Sequence, residues 1–284
     1  MNQEEGSGKA KSDDLQLGIV SPTINVYHRS HSKRLCILAG QALFNMSNIA
    51  TYRMFMMRQG VVDAIQARKE ANDPGIVEIT ILLLNALTSN KDACSLLFQR
   101  IQVKRVVSEL LVKVKGEITS VPGAFYSGKT STFALATIYH IVKLQHKNAL
   151  QHNDEAIKVV VSKLNPHQYQ TKQTSVNITE GEKLIFMILE TLARGSTPDY
   201  KDHLTDLTMP VIIKRIERAE MKNEELERAE STLAMLAFFK TLSKDSHRAQ
   251  QGLQDILQFL NNATKIKQNG KLPLILMQRS GFLG

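Results

Sequence analysis

Residues 34–48 read RLCILAGQALFNMSN, and the apolar or small side chains Leu35, Leu38, Ala39, Ala42, Leu43 and Met46 recur at the i, i+3, i+4 and i+7 positions of one helix face. A short polar break at Ser47 and Asn48 is followed by a second helical stretch, YRMFMMRQGVVDAIQARKEA (52–71). Gly60 within it marks a junction between a short helix and the next one. Asn72, Asp73, Pro74 and Gly75 form a turn signal, after which IVEITILLLNALTSN (76–90) reads as another apolar helix.

This order of events recurs along the chain: an apolar helix, a polar break, a short helix, a second helix and a loop. Its anchor segments are ALFNMSN (42–48), LLNALTSN (83–90), HIVKLQHKN (140–148), LETLARGS (189–196) and FKTLSKDS (239–246). The anchor residues are Met46, Leu87, Leu144, Leu192 and Leu242, spaced 41, 57, 48 and 50 residues apart. Each unit has an apolar face that it cannot cover alone and that stacking against its neighbours buries, which is the physics of a helical solenoid.

Composition agrees with helices. The 284 residues contain only 15 Gly and 7 Pro, and Pro is scarce inside the apolar segments. Trp is absent, and the apolar side chains are chiefly those of helix-on-helix packing. A chain of this length can bury a substantial core. The formal charge of +9 favours acidic partners, though the basic residues are dispersed and form no run of five or six. Cys36 and Cys94 both fall in apolar helical stretches and read as buried free thiols of a reducing compartment. The polar N-terminus lacks a signal peptide's apolar core, and no apolar run reaches the ~18 residues that span a bilayer. The expectation is a cytoplasmic protein that does not insert in membranes.

The segment ALFNMS (42–47) resembles the ending of the third helix of an armadillo repeat, and Arg53 with Gly60-Val61-Val62-Asp63-Ala64-Ile65 resembles the start of that family's second helix. Leu84-Asn85-Ala86-Leu87 and Val103–Val107 echo the pattern without the glycine. The resemblance covers about residues 33–262 and implies an all-α, right-handed α-solenoid of about five armadillo-like repeats. Residues 1–32 are expected as a disordered or extended tail, 115–130 as a long inter-repeat loop, and 263–284 as a cap or docking segment. In such solenoids the third helices line a concave groove for partner proteins. The resemblance therefore implies a groove formed by Gln41, Asn45, Asn48, Asn85, Lys143 and Lys240, with Asn45 placed to bind a peptide backbone. Without Trp, the Trp–Asn ladder of the nuclear-import adaptors cannot form here.

One motif points elsewhere. Residues 123–130, GAFYSGKT, match the phosphate-loop pattern G-x-x-x-x-G-K-[ST]. In that chemistry Gly123 and Gly128 shape the loop, Lys129 reaches the outer phosphates and the Thr130 hydroxyl holds Mg²⁺ of Mg-ATP or Mg-GTP. Residues 131–144 read as the following helix and 117–121 as a short strand. The rest of such a domain is missing: no apolar strand ending in Asp follows, and neither D-x-x-G nor N-K-x-D occurs after the lysine. The alternative is a loop filling the 57-residue interval between anchors. His140, His146 and His152 stand six apart, a poor spacing for one helix face, and read as surface histidines rather than metal ligands. The sequence thus favours a non-catalytic, cofactor-free, protein-binding scaffold in a larger cytoskeletal or trafficking assembly. Its rivals are a P-loop nucleotide-binding protein and a basic nucleic-acid binder.

Overall fold

The computed structural model describes residues 18–69, 71–116, 128–144, 146–164, 175–222 and 229–254, with 256 and 258. Among them there is no strand, so the fold is all-α. The helices are α1 (Val20–Arg29), α2 (Lys33–Ser47), α3 (Ala50–Arg58), α4 (Val61–Arg68), α5 (Pro74–Thr88), α6 (Lys91–Arg100), α7 (Val103–Lys115) and α8 (Gly128–Lys143). After a 3-10 turn at Lys147–Ala149 come α9 (Asp154–Ser162), α10 (Ser175–Ala193), α11 (Pro198–Lys222), α12 (Ala229–Ser243) and α13 (247–254). They gather into two compact units, one ending at Leu144 and the other beginning at residue 145.

Helix boundaries follow local chemistry. The Asp73 carboxylate accepts hydrogen bonds from the backbone N–H groups of Gly75 (2.9 Å) and Ile76 (3.1 Å), and Pro74 occupies the first helical position of α5, where no donor is needed. Asn90 caps α6 through the N–H groups of Asp92 and Ala93, and Asn153 caps α9 through that of Ala156. Gly60 adopts φ = +88° between α3 and α4, a left-handed conformation that carries no steric penalty only for glycine. The junction expected at this residue is therefore a reversal of backbone handedness.

The anchor residues fall where the cycle requires. Met46, Leu87, Leu192 and Leu242 are each the penultimate residue of α2, α5, α10 and α12, and Leu144 follows the last residue of α8. These five are the third helices of the repeats. In the first unit α2 packs on α5 and α5 on α8; in the second α10 packs on α12. Gly40 permits the first of these approaches, because a Cβ there would lie 2.8 Å from Cγ1 of Ile79 on α5 and 3.1 Å from the Tyr27 ring.

Three expectations need correction. Residues 20–29, read as extended lead-in, form α1. Val20, Ile24 and Tyr27 recur at helical spacing and are fully or almost fully buried, while Pro22 sits in the first turn, where its missing N–H is harmless. The end of α1 is held from α4: the Arg68 guanidinium donates to the carbonyls of Tyr27, His28 and Ser30, each at 2.7 Å. Second, the loop assigned to 115–130 is shorter at both ends, since Lys115 closes α7 and Gly128–Thr130 begin α8; residues 117–127 lie outside the described set, as do the tail 1–17 and the segment 259–284. Third, in the fourth cycle the short and second helices are one continuous helix, α11, with Pro210 inside it on an exposed face.

The second unit buries Phe186, Phe238 and Phe239, the last two with ring centroids 5.8 Å apart. It also buries a bidentate ion pair, in which Arg215 donates to both Glu182 oxygens at 2.7 and 3.1 Å. No described helix is long and apolar enough to cross a membrane.

Candidate functional site

The packing of α2 on α5 and of α5 on α8 sets three third helices side by side, and each keeps one face uncovered. On α2 the exposed residues Leu38, Gln41 and Asn45 rise along the helix at spacings of three and four, so they share that face, and the exposed Asn48 continues the row as the residue following α2. On α5 the same role falls to Glu78, Leu82 and Asn85, all half-buried, with Ser89 following the helix end. On α8 it falls to Lys129 and Lys143, both exposed, with Tyr139 and His140 half-buried between them. The Lys143 amine lies over the Tyr139 ring, 5.4 Å from its centroid. Five of the six residues assigned to the groove, Gln41, Asn45, Asn48, Asn85 and Lys143, thus belong to the first unit. Lys240 is exposed on α12 of the second unit.

Two polar atoms in this region are buried without a partner: Oδ1 of Asn85 and Nδ1 of His140. Both are hydrogen-bond acceptors when His140 carries its proton on Nε2. The His140 ring interacts with the backbone carbonyl of Asn85, which suits that tautomer. Burial, aided by the nearby Lys143 charge, holds the imidazole below its ordinary pKa against the pull of that carbonyl. His140 is therefore not the surface histidine expected from spacing, and periodicity gave no hint of it. Among the described residues no three metal-ligating side chains converge, and Cys36 and Cys94 are free and buried, with burial pushing Cys94 up to about 11.

The charge along these three helices is one-sided. Arg34, Lys129 and Lys143 are set against one acid, Glu78, while Lys33 is paired with the α5 cap residue Asp73 at 2.7 Å. That carboxylate accepts a hydrogen bond from the Thr130 hydroxyl at 3.3 Å. Thr130, the phosphate-loop residue that would ligate Mg²⁺, is 1% exposed and packed in the α5–α8 seam. Lys129 projects outward one residue before it, and Gly128 opens the helix. Gly123 and the proposed strand 117–121 lie outside the described residues.

No family model matches the sequence, and no curated protein does. Solved structures do. An engineered protein determined in a structural genomics programme is similar over 92% of each chain, with a TM-score of 0.61 and 14% identity. A computationally designed armadillo repeat protein for modular peptide recognition is similar over 79% of this chain and 84% of its own, with a TM-score of 0.57 and 15% identity. A designed armadillo repeat protein in complex with the peptide (KR)4 is similar over 80% and 84%, with a TM-score of 0.58 and 14% identity. Together with the five third helices, these likenesses show an armadillo-like helical repeat fold, an α-solenoid.

Proposed function

We propose that this protein is a non-catalytic scaffold that holds an extended, acidic segment of a partner protein across α2, α5 and α8. The observation that carries this reading is the buried, unpartnered Oδ1 of Asn85. A buried acceptor without a donor costs roughly 1–3 kcal/mol, and a turn of the half-buried Asn85 amide towards the groove lets it accept from a backbone N–H of an extended peptide. Exposed Gln41 and Asn45 on the neighbouring helix offer both donors and acceptors to the same backbone. The excess of Arg34, Lys129 and Lys143 over Glu78 favours acidic side chains in the bound segment. Two of the similar solved proteins are described as designed for peptide recognition or bound to a peptide, which supports the class of ligand. The (KR)4 peptide is basic, so the sign of charge proposed here is this chain's own. A place within a larger cytoskeletal or trafficking assembly fits an acidic target.

The test is selection from a random peptide display library, followed by titration of the enriched peptides. The expected result is acidic peptides whose affinity falls at least tenfold in both Asn45→Ala and Asn85→Ala and at least threefold in Lys143→Glu. Enrichment of no peptide, or affinities indifferent to all three substitutions, would sink the proposal.

A further inference from the structure

Beside the end of α4 lies a cavity of about 200 Å³. Val77, Ile81 and Leu84 of α5, Ile65 of α4, Leu110 of α7 and Ile101 line it, and all six are buried. The two second helices beside it differ in length: α4 stops at Arg68 after 8 residues, whereas α7 runs for 13 and carries lining residues as far as Lys113.

Native interiors hold few voids larger than a water molecule. Water is a poor occupant of this one, because a buried water needs two to four polar partners. Thr80, the polar side chain buried among the lining, already exchanges hydrogen bonds with Tyr27 and the Ile76 carbonyl. The rim gives an ion no advantage. Lys69 and Glu109 face each other at 2.7 Å, so each offsets the other's charge, and Lys113 is engaged as well. Beside them Gln66 is half-buried and brings an uncharged amide that both donates and accepts.

Aliphatic walls, with the charged groups of the rim already engaged, suit an uncharged apolar molecule, because a charge carried inside would lose its hydration without a partner. An engineered cavity of about 150 Å³ lined by Leu, Ile and Phe stays dry and takes up benzene or xenon. At about 200 Å³ the cavity beside α4 has room for one such ring with a short substituent. A rigid ring also gives up fewer rotatable bonds on binding than an alkyl chain of equal volume. We infer that the α4–α5–α7 cavity binds a small uncharged aromatic molecule, with its ring among Ile65, Ile81 and Leu110 and any hydroxyl substituent at the Gln66 amide. The groove does not take part, because α5 turns Val77, Ile81 and Leu84 to the cavity and Leu82 and Asn85 to the groove.

The test uses the full chain with labelled isoleucine methyl groups, titrated with toluene, benzyl alcohol, benzoate and benzylammonium and followed by NMR. The inference expects saturable shifts of the Ile65, Ile81 and Ile101 methyl resonances with toluene and benzyl alcohol, and at least tenfold weaker binding of either ion. Gln66→Leu weakens benzyl alcohol at least threefold and leaves toluene unchanged. Ala71→Trp, a filling change at a half-buried lining residue outside the helices, blocks both. Absence of saturable shifts at those methyl groups in the wild-type chain would overturn the inference, as would an ion binding as well as toluene, benzyl alcohol indifferent to Gln66→Leu, or toluene binding undiminished in Ala71→Trp.

Discussion

The Tyr27 and Thr80 hydroxyls lie 2.6 Å apart, a buried contact between α1 and α5 across 53 residues of sequence. The Thr80 hydroxyl also approaches the Ile76 carbonyl at 2.6 Å, and since a carbonyl only accepts, its proton goes there. Tyr27 must then be the donor. Burial raises the phenol pKa well above its usual value, so that donor proton is retained under all ordinary conditions.

Tyr27→Phe removes one buried hydrogen bond and leaves Thr80 satisfied through Ile76. The expected loss is about 1 kcal/mol. Tyr27→Ala instead opens a hole in the core and costs about 3–5 kcal/mol. Urea denaturation of the two variants checks the ratio. Equal losses would mean that the hydroxyl pair contributes most of what the ring does.

Asn85 is predicted to separate binding from folding. Its Oδ1 has no partner in the free protein, so Asn85→Ala leaves thermal stability unchanged or slightly raised. The same substitution weakens peptide binding. A melting temperature lowered by more than a few degrees would show that the amide holds the fold instead.

His140 gives a pH dependence with a definite sign. Its folded pKa lies below the unfolded value near 6.5, so in the window between them the unfolded chain takes up the proton first. Stability therefore falls as pH drops below about 6.5. His140→Gln should flatten that limb of the curve, measured by denaturation at a series of pH values. An unchanged slope would assign it to other groups.

For the phosphate-loop match, calorimetric titration with ATP and GTP plus Mg²⁺ is expected to give no binding heat. Thr130 is buried against Glu78 and would have to leave that carboxylate to reach a metal. Micromolar binding lost in Lys129→Ala would make residues 123–130 the centre of the protein.

The repeat was legible in the sequence because its signal is local. An apolar residue in the last turn of a helix, followed by a polar break, recurs at Met46, Leu87, Leu192 and Leu242 whatever lies between. Helix α1 was hidden for the opposite reason. VSPTINVYHR carries four β-branched residues and a proline, and its helical state rests on Val20, Ile24 and Tyr27 finding a core, and on Arg68 reaching back from 40 residues away. The cycle carried along from the first repeats implies a break between two helices here, and α11 runs unbroken through Pro210 instead. In the groove, Gln41 and Asn45 share their face with Leu38, which the apolar pattern assigns to the buried stripe and the structure leaves exposed. The unpartnered acceptors of Asn85 and His140 depend on how closely α5 and α8 approach, which no spacing reveals.

The three carbonyls gathered by Arg68 tie the end of α1 to α4 through a single side chain. A short helix ordinarily frays alone, and its amides exchange with solvent long before the rest of the molecule opens. Here α1 cannot unwind at its C-terminal end without stripping the guanidinium of its acceptors, so both segments share one opening event. Deuterium uptake at the last turn of α1 should keep time with that of α4, and a protease should find the Arg29 bond only when both have let go.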